Sequence, residues 1–346
     1  MGSYPDTVNL LEYLRSRSQI DCDSLDLELA TELGPFVDCT SNQADSYLEL
    51  LLPQRKAILE RSAALGRQLL SEYPGVKYEQ LAVEIAMVNL SLAITPLITG
   101  AIHVMSNPTL TSTSEIVENA QRIANLCRRI APDFDMSRLC IKVVATWEGL
   151  QACKSLTALG INTLATTLFT MEQAILAGEV GCIYIAPFVH ELKAFFDATY
   201  DDGGPNLNLC VEAQRYYKER HCVTRVKAAG LLNAGEAKQL AGVDSMTIAP
   251  ELLRTLSNTH EAEIGITDSS IFERETKASG QKIEEHSFVN EERKYREAFA
   301  RSYDGKGKWK TQEAINIFCE YQIKAEGLLR DISVTSPTQR DLLLQC

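Results

Sequence analysis

The stretch Arg138-Leu-Cys-Ile-Lys-Val-Val-Ala-Thr-Trp-Glu-Gly149 decides the fold, because it places one lysine inside an apolar strand. Side chains alternate along a strand, so Lys142 points to the face opposite Ile141 and Val143. A strand covered on both sides would therefore aim Lys142 into a barrel or a cleft. Burial disfavours an ammonium, and a neutral amine can attack a carbonyl carbon to form a Schiff base. The alternative is a lysine at a strand end whose ammonium reaches water.

On both sides of this stretch, short apolar strands alternate with amphipathic helices. We predict strands at 19–23, 36–42, 100–105, 139–145, 162–169, 182–188, 223–229 and 245–249, and helices at 4–18, 24–33, 44–70, 78–92, 113–130, 148–159, 172–177, 191–198, 211–220, 235–240 and 251–257. Eight strands, each followed by a helix, predict an α/β fold, a (β/α)8 TIM barrel with extra N-terminal and C-terminal helices.

The domain prediction is a single unit over residues 1–346. The barrel takes about 14–258, and a helical extension takes about 259–346, with helices at 291–302 and 311–329 packed across the barrel. The chain has 346 residues, of which 45% are hydrophobic and 23% are charged. These values are ordinary for a globular protein with a large core.

Charge and cysteine usage exclude several functional classes. The net charge of −12 provides no basic surface for nucleic acid or for an anionic membrane. The longest apolar run, 90–102, is interrupted by polar residues and proline, so we predict no membrane span. Ten cysteines occur singly, without a CxxC pair or a signal peptide, which is typical of reduced thiols in a cytoplasmic protein.

No cofactor or metal is predicted. The five histidines are dispersed, with no spacing typical of metal ligands, and no glycine-rich nucleotide loop occurs. The expected ligand is instead a small-molecule carbonyl substrate, because a buried amine condenses with ketones and aldehydes.

Several blocks together resemble the transaldolases, Schiff-base aldolases with a circularly permuted barrel. The blocks are Asp38-Cys-Thr-Ser-Asn42, Pro108-Thr-Leu110, Ile141-Lys-Val-Val-Ala-Thr-Trp-Glu-Gly149, Gly160-Ile-Asn162, Thr166-Thr-Leu-Phe169, Ala186-Pro-Phe-Val189 and Thr247-Ile-Ala-Pro-Glu-Leu-Leu253. The resemblance covers roughly 14–255. It implies that Lys142 is the Schiff-base residue and that the protein is a homodimer.

The resemblance also implies roles for three polar residues. Asp23 matches the proton-transfer aspartate of the first strand, with Asp21 as the alternative if the register differs by two. Asn42 matches an asparagine that holds substrate hydroxyls, and Thr166 matches a threonine that holds a catalytic water. Asp23 could instead be the N-cap of the helix that follows it.

Further substrate-binding candidates lie in the matched blocks or at strand ends: Thr40, Phe188, His190 and Gly230. His190 follows the Ala186-Pro-Phe-Val strand and could replace a lost proton donor, although it could equally be a polar loop residue. Phe188 resembles a position that lines the site in the family.

At other positions the chain departs from the family pattern. Met105 stands where the resemblance implies a glutamate that binds the catalytic water. Leu164 replaces an asparagine, and Ala186 replaces a serine that hydrogen-bonds the substrate. Glu191 and Leu232 fall on two arginines that grip the substrate phosphate. The lysine is retained while its polar surroundings become apolar.

These observations lead to one hypothesis and two alternatives. The leading hypothesis is a divergent transaldolase-like enzyme that forms a Schiff base through Lys142 with a non-phosphorylated carbonyl compound, in an aldol-type cleavage or formation or a related condensation or cyclisation, in a biosynthetic pathway. The first alternative is an ordinary transaldolase that transfers a dihydroxyacetone unit, with its phosphate site rebuilt from Lys193, Arg225 or Lys227. The second is a non-catalytic binding protein.

Overall fold

The strands form a closed parallel barrel. The computed structural model describes residues 8–197, 199–260, 270–275 and 287–335. The strands are β1 Gln19–Asp23, β2 Cys39–Thr40, β3 Ile102–Met105, β4 Leu139–Val144, β5 Asn162–Leu168, β6 Tyr184–Pro187, β7 Arg225–Ala228 and β8 Ser245–Ile248. They pair in chain order, and β8 closes on β1. The predicted TIM barrel is confirmed, and each observed strand lies within its predicted range.

Helices surround the barrel. They are α1 Leu10–Arg15, α2 Leu27–Leu33, α3 Gln43–Leu50, α4 Lys56–Leu69, α5 Tyr78–Ile94, α6 Thr113–Ile130, α7 Trp147–Ala158, α8 Met171–Glu179, α9 Asn208–Glu219, α10 Ala234–Gln239, α11 Pro250–Asn258, α12 Ile271–Glu275, α13 Glu292–Arg301 and α14 Lys306–Thr335. The prediction for α6 agrees at both ends, because a capping box at Ser112 and Glu115 fixes its start.

Two helix predictions were wrong. The single helix predicted at 44–70 is two helices, α3 and α4, separated by a 3₁₀ turn that begins at Pro53. Proline lacks the N–H that a helix interior requires, so the helix breaks there. The apolar periodicity continues across the break, which is why one helix was predicted. The helix predicted at 191–198 is only a 3₁₀ turn, Leu192–Phe195, and Ala198 lies outside the described residues. Residues 4–7 of the first predicted helix also lie outside them.

The register of β4 sets the level of Lys142 in the barrel. Lys142 pairs with Met105 on β3 and with Leu164 on β5. All six residues of β4 are buried, as expected for a parallel strand covered on both faces. Its side chains therefore alternate between the barrel interior and the surrounding helices.

Helix α5 is packed against other helices of the protein. By length and composition, Tyr78–Leu97 could cross a membrane, and in the described part of the chain it is the one segment that could. Here it contacts α4, α6 and α14, and most of its side chains are buried. Such burial is typical of a core helix.

The long helix α14 covers one side of the barrel mouth. It packs against α3, α5 and the Leu192–Phe195 turn. Thr311, near its start, donates to the Thr167 carbonyl and accepts from the Gln173 side chain, which joins α14 to the end of β5. The helix therefore brings late parts of the chain to the carboxyl ends of the strands, as predicted for the C-terminal helices.

Candidate active site

A cavity of about 450 Å³ opens at the carboxyl ends of the strands and contains Lys142. Its polar lining includes Asp23, Asn42, Asp45, Thr247 and Arg254. Its apolar lining includes Leu48, Leu52, Phe188, Leu192, Phe195, Phe196, Leu231 and Phe318. Ligands of TIM-barrel enzymes bind at this end of the barrel, so the cavity is the candidate active site.

Lys142 has the surroundings of a nucleophile. Its side chain reaches the cavity, and the residue is only 3% exposed. Its backbone carbonyl accepts from the Ser106 N–H at 2.9 Å, which fixes the strand beside β3. Among the residues that the structure describes, none forms an ion pair or a hydrogen bond with Nζ. A buried amine without a carboxylate partner is suited to attack a carbonyl.

Asp23 lies at the end of β1 and lines the same cavity. Its Oδ1 accepts a hydrogen bond of 2.5 Å from Thr40 Oγ1, and Thr40 also contacts the Thr247 hydroxyl. Thr40 on β2 thus holds the Asp23 carboxylate directly, and Thr247 on β8 holds Thr40 in place. The N-cap of α2 is Asp26, whose Oδ1 accepts from the Glu28 and Leu29 N–H groups. The alternative interpretation of Asp23 as a helix cap was therefore wrong.

Asn42 caps α3 at the cavity wall. Its Oδ1 accepts from the N–H groups of Ala44 and Asp45 at 2.8 and 3.1 Å. Asp45 completes a capping box by accepting the Asn42 N–H at 3.1 Å. The amide oxygen of Asn42 is thereby occupied, whereas its Nδ2 can still donate to a substrate hydroxyl.

Three of the departures from the family pattern are buried outside the cavity lining. Met105, Leu164 and Ala186 are at most 1% exposed and do not line it. Thr166 is fully buried, and its Oγ1 has no hydrogen-bond partner within the described residues. An orphaned hydroxyl agrees with the predicted role in holding a water, because buried polar atoms otherwise find a partner. That role stays a prediction.

The predicted substrate-binding residues separate into two groups. Phe188 and Gly230 line the cavity with Asn42. Gly230 has φ +75°, a conformation that glycine adopts without strain. Leu232 is 43% exposed and is absent from the lining.

His190 also lies outside the cavity lining. Its Nδ1 is 2.8 Å from Asp202 and its Nε2 is 3.0 Å from Glu236. Burial lowers the pKa of the imidazole, but the hydrogen bonds that it donates to both carboxylates outweigh burial and raise the pKa. Both ring nitrogens are therefore engaged by carboxylates away from the cavity, which disfavours the use of His190 as a substitute proton donor and leaves that role a prediction.

Glu191 is buried and paired. Its carboxylate is 3.0 Å from Lys310 Nζ on α14 and accepts a hydrogen bond from the Tyr200 hydroxyl. Side chains of the protein thus fill the position where the resemblance implies a phosphate-gripping arginine.

A second buried lysine lies closer to the amino ends of the strands. Lys227 on β7 is completely buried and pairs with Asp21 and Asp38. His103 Nε2 lies 3.1 Å from Asp38, and the Tyr184 ring lies 4.4 Å from Lys227 Nζ. Asp21 belongs to this cluster and does not line the cavity, so the structure favours Asp23 over Asp21 as the predicted acid or base.

Lys227 and Asp38 in this cluster are each held in the charged form. Burial opposes the charge on Lys227, but Asp21 and Asp38 together raise its pKa. Burial also opposes ionisation of Asp38, yet the His103 hydrogen bond and the Lys227 charge lower its pKa. A lysine in this state stays protonated and cannot form an imine.

The basic residues suggested for a rebuilt phosphate site do not line the cavity. Lys227 is enclosed by carboxylates, and Arg225 donates to Gln19 Oε1 and the Asp244 carbonyl at the amino ends of the strands. The Lys193 ammonium lies over the Tyr200 ring at 4.4 Å. The sequence interpretation missed Arg254, which does line the cavity and is 3.9 Å from Asp26.

Asp45 was also missed. The sequence contained a signal, since Asn42 followed three residues later by an acid is a capping-box pattern after a strand. No three histidine, cysteine or carboxylate side chains come together as metal ligands in the described part of the chain.

The chain is similar in sequence to known proteins. Residues 20–323 match the family described as Transaldolase/Fructose-6-phosphate aldolase. A protein named Transaldolase from Alteromonas mediterranea (strain DSM 17117 / CIP 110805 / LMG 28347 / Deep ecotype) is 30% identical over 331 residues, covering 93% of this chain and 98% of that protein. Transaldolase from Pseudoalteromonas atlantica (strain T6c / ATCC BAA-1087) is 28% identical over 330 residues, with coverage of 93% and 98%. Transaldolase from Shewanella sp. (strain ANA-3) is 30% identical over 289 residues, covering 81% and 87%.

Proposed function

Because this chain belongs to the transaldolase/fructose-6-phosphate aldolase family and is an aldolase-type enzyme, we propose that it makes or breaks a carbon–carbon bond through a Schiff base on Lys142. One observation carries the proposal. Of the two buried barrel lysines, Lys227 is held between carboxylates, whereas Lys142 faces the cavity without such a partner.

The proposed reaction needs an amine, a base and a route for water. The amine of Lys142 adds to a ketone carbonyl, and loss of water gives an iminium. In the cleavage direction, Asp23 removes the proton from the hydroxyl on the carbon beyond the bond that breaks. The electrons of that bond move to the iminium, which becomes an enamine, and an aldehyde leaves. Protonation of the enamine and hydrolysis then regenerate the lysine.

We expect Asp23→Asn to lower kcat by about 10²- to 10⁴-fold, because an amide cannot accept the hydroxyl proton. The amide oxygen can still accept the Thr40 hydrogen bond, so the fold should be unchanged. The measurement is kcat together with the thermal midpoint. A variant with normal kcat would show that another group transfers the proton.

The substrate is proposed to be a carbonyl compound without a phosphate group. Five acidic side chains line the cavity, those of Asp23, Asp26, Asp45, Glu49 and Glu251, against the basic side chains of Lys142 and Arg254. At the position implied for one phosphate-binding arginine, Glu191 is paired with Lys310. An acidic cavity with an apolar outer wall disfavours a phosphate dianion.

An ordinary transaldolase that transfers a dihydroxyacetone unit is the second candidate. The comparisons favour it over the divergent reaction, because the relatives carry the name Transaldolase and the family description includes fructose 6-phosphate. In this structure Arg254 is the guanidinium at the cavity that could meet a phosphate.

We expect weak use of sugar phosphates. A guanidinium–phosphate contact contributes about 1.5–3 kcal/mol, so losing two weakens binding by about 3–6 kcal/mol, or roughly 10²- to 10⁴-fold. The measurement is kcat/KM with fructose 6-phosphate and erythrose 4-phosphate, beside a true transaldolase. Comparable values would establish the second candidate, and Arg254→Ala would then identify its phosphate contact.

A cytoplasmic location and a homodimer complete the proposal. The unpaired cysteines and the family resemblance support them, respectively. Sedimentation of the purified protein tests the dimer.

A further inference from the structure

The proposed reaction requires a proton donor that the strand positions no longer supply. When Lys142 adds to a ketone, the carbon carries a hydroxyl that can leave only as water, so it must receive a proton. The resemblance assigns the handling of water to a glutamate at the position of Met105. Met105 is buried, does not line the cavity, and its thioether holds no proton.

Asp45 presents a carboxyl group to the same cavity from the helix after β2. The capping box fixes it, because Oδ2 accepts the Asn42 N–H at 3.1 Å while the Asn42 side chain accepts the Asp45 N–H. Within the described chain, Oδ1 has no hydrogen-bond partner. Asp23, Asn42, Asp45 and Lys142 therefore line one cavity, and the carboxyl oxygens of this group without a hydrogen-bond partner in the described chain are Asp45 Oδ1 and Asp23 Oδ2.

Besides Asp23, three other acidic side chains line the cavity; Glu251 is exposed in the first turn of α11, and the other two are already engaged. Glu49 is paired with Arg55 at 2.7 Å. Asp26 caps α2 with one carboxylate oxygen. Tyr200 does not line the cavity, and its hydroxyl donates a hydrogen bond to Glu191.

We propose that Asp45 is a second catalytic residue, which donates the proton that converts the hydroxyl of the Lys142 adduct into water. This role rests on the proposed function of Lys142. The C–O bond breaks with its electrons on oxygen, the Asp45 proton completes the water molecule, and the nitrogen lone pair forms the C=N bond. In the hydrolysis that ends the cycle, water adds to the iminium carbon and its proton returns to Asp45.

The surroundings of Asp45 keep it in the form that can donate. Burial is the largest effect, and the negative charge of Asp23 adds to it, so the pKa of Asp45 lies well above its ordinary value. The positive charge of Lys142 and the Asn42 N–H oppose this shift without reversing it. A raised pKa suits the Asp45 carboxyl group to act as an acid in the cavity that it shares with Asp23.

The two aspartates then act at different steps. Asp45 serves formation and hydrolysis of the iminium, and Asp23 serves the carbon–carbon step. Their variants should consequently fail in different assays.

The test measures how fast dihydroxyacetone and cyanoborohydride produce a reduced adduct on Lys142, by quenched mass spectrometry. We expect Asp45→Asn to slow adduct formation by about 10²-fold, because an amide is not an acid at this step. The amide oxygen can still accept the Asn42 N–H, which preserves the cap. The matched control is Glu115→Gln, which makes the same change in the capping box of α6, away from the cavity, and should form adduct at the wild-type rate.

Each outcome decides the question. Slow adduct formation in D45N, with Asp23→Asn losing turnover while still accumulating adduct, supports the role of Asp45. Adduct formation at the wild-type rate in D45N overturns that role and leaves Lys142 in place, and equal slowing in both variants overturns the division of steps. Absence of any adduct on wild-type Lys142 overturns the proposed function itself. If D45N melts early, Asp45→Ala, which leaves the Asn42 side-chain cap, replaces it in the same assay.

Discussion

Lys142→Ala and Lys142→Arg abolish turnover and borohydride trapping while the protein remains folded. Alanine removes the nucleophile, and a guanidinium stays protonated and forms no imine. The fold survives because Nζ of Lys142 has no partner among the described residues, so its removal leaves no carboxylate buried alone. Turnover, the mass of the borohydride-reduced protein and the thermal midpoint together measure this result.

The control is Lys154→Ala, which removes an exposed lysine bonded to Asn290 and should keep both activity and trapping. An adduct that persists in Lys142→Ala would place the Schiff base on another lysine. Turnover that persists without any adduct would exclude Schiff-base chemistry.

Lys227→Ala has the opposite consequence and destabilises the fold by about 3–5 kcal/mol, because Asp21 and Asp38 would stay buried without their cation. That loss is a large part of the stability of an ordinary domain. Urea unfolding followed by circular dichroism measures it. The two buried barrel lysines are thus separated by experiment, one needed for reaction and one for folding.

Lys56→Ala is the matched control, since this lysine is exposed and its ion pair with Glu60 spans one turn of α4. An exposed pair contributes little, so its unfolding midpoint should stay close to that of the wild type. A Lys227→Ala protein as stable as Lys56→Ala would mean that Asp21 and Asp38 take up protons at no cost.

Much of the fold was predictable because local patterns and global packing agree. Strand β1 and helix α6 were predicted at both ends, since an apolar alternation and a capping box are local signals. The break at Pro53 and the 3₁₀ turn after Glu191 were missed. In the second case, Asp202 is hydrogen-bonded to His190, and the Tyr200 hydroxyl donates to Glu191. The periodicity of apolar residues carries no information about these contacts.

The site was predictable only in part. Lys142, Asp23 and Asn42 were identified from short motifs, and the structure places them around one cavity. Lys227 was offered as one of three possible phosphate ligands, because its partners, Asp21 on β1 and Asp38 just before β2, meet it only when β8 closes on β1. Arg254 was missed for the same reason, since α11 reaches the mouth only in the folded barrel.

The position of α14 in the chain has a consequence for synthesis on the ribosome. Protein chains emerge with their N-terminal parts first. The last strand ends at Ile248, and two residues of α14 follow much later: Phe318, which lines the cavity, and Lys310, which pairs with Glu191. A nascent chain can therefore complete its eight strands while one wall of the cavity is still inside the ribosome. Lys142 gains its enclosed surroundings only once α14 has emerged. A growing chain with a complete barrel therefore still lacks catalytic competence until α14 packs against it.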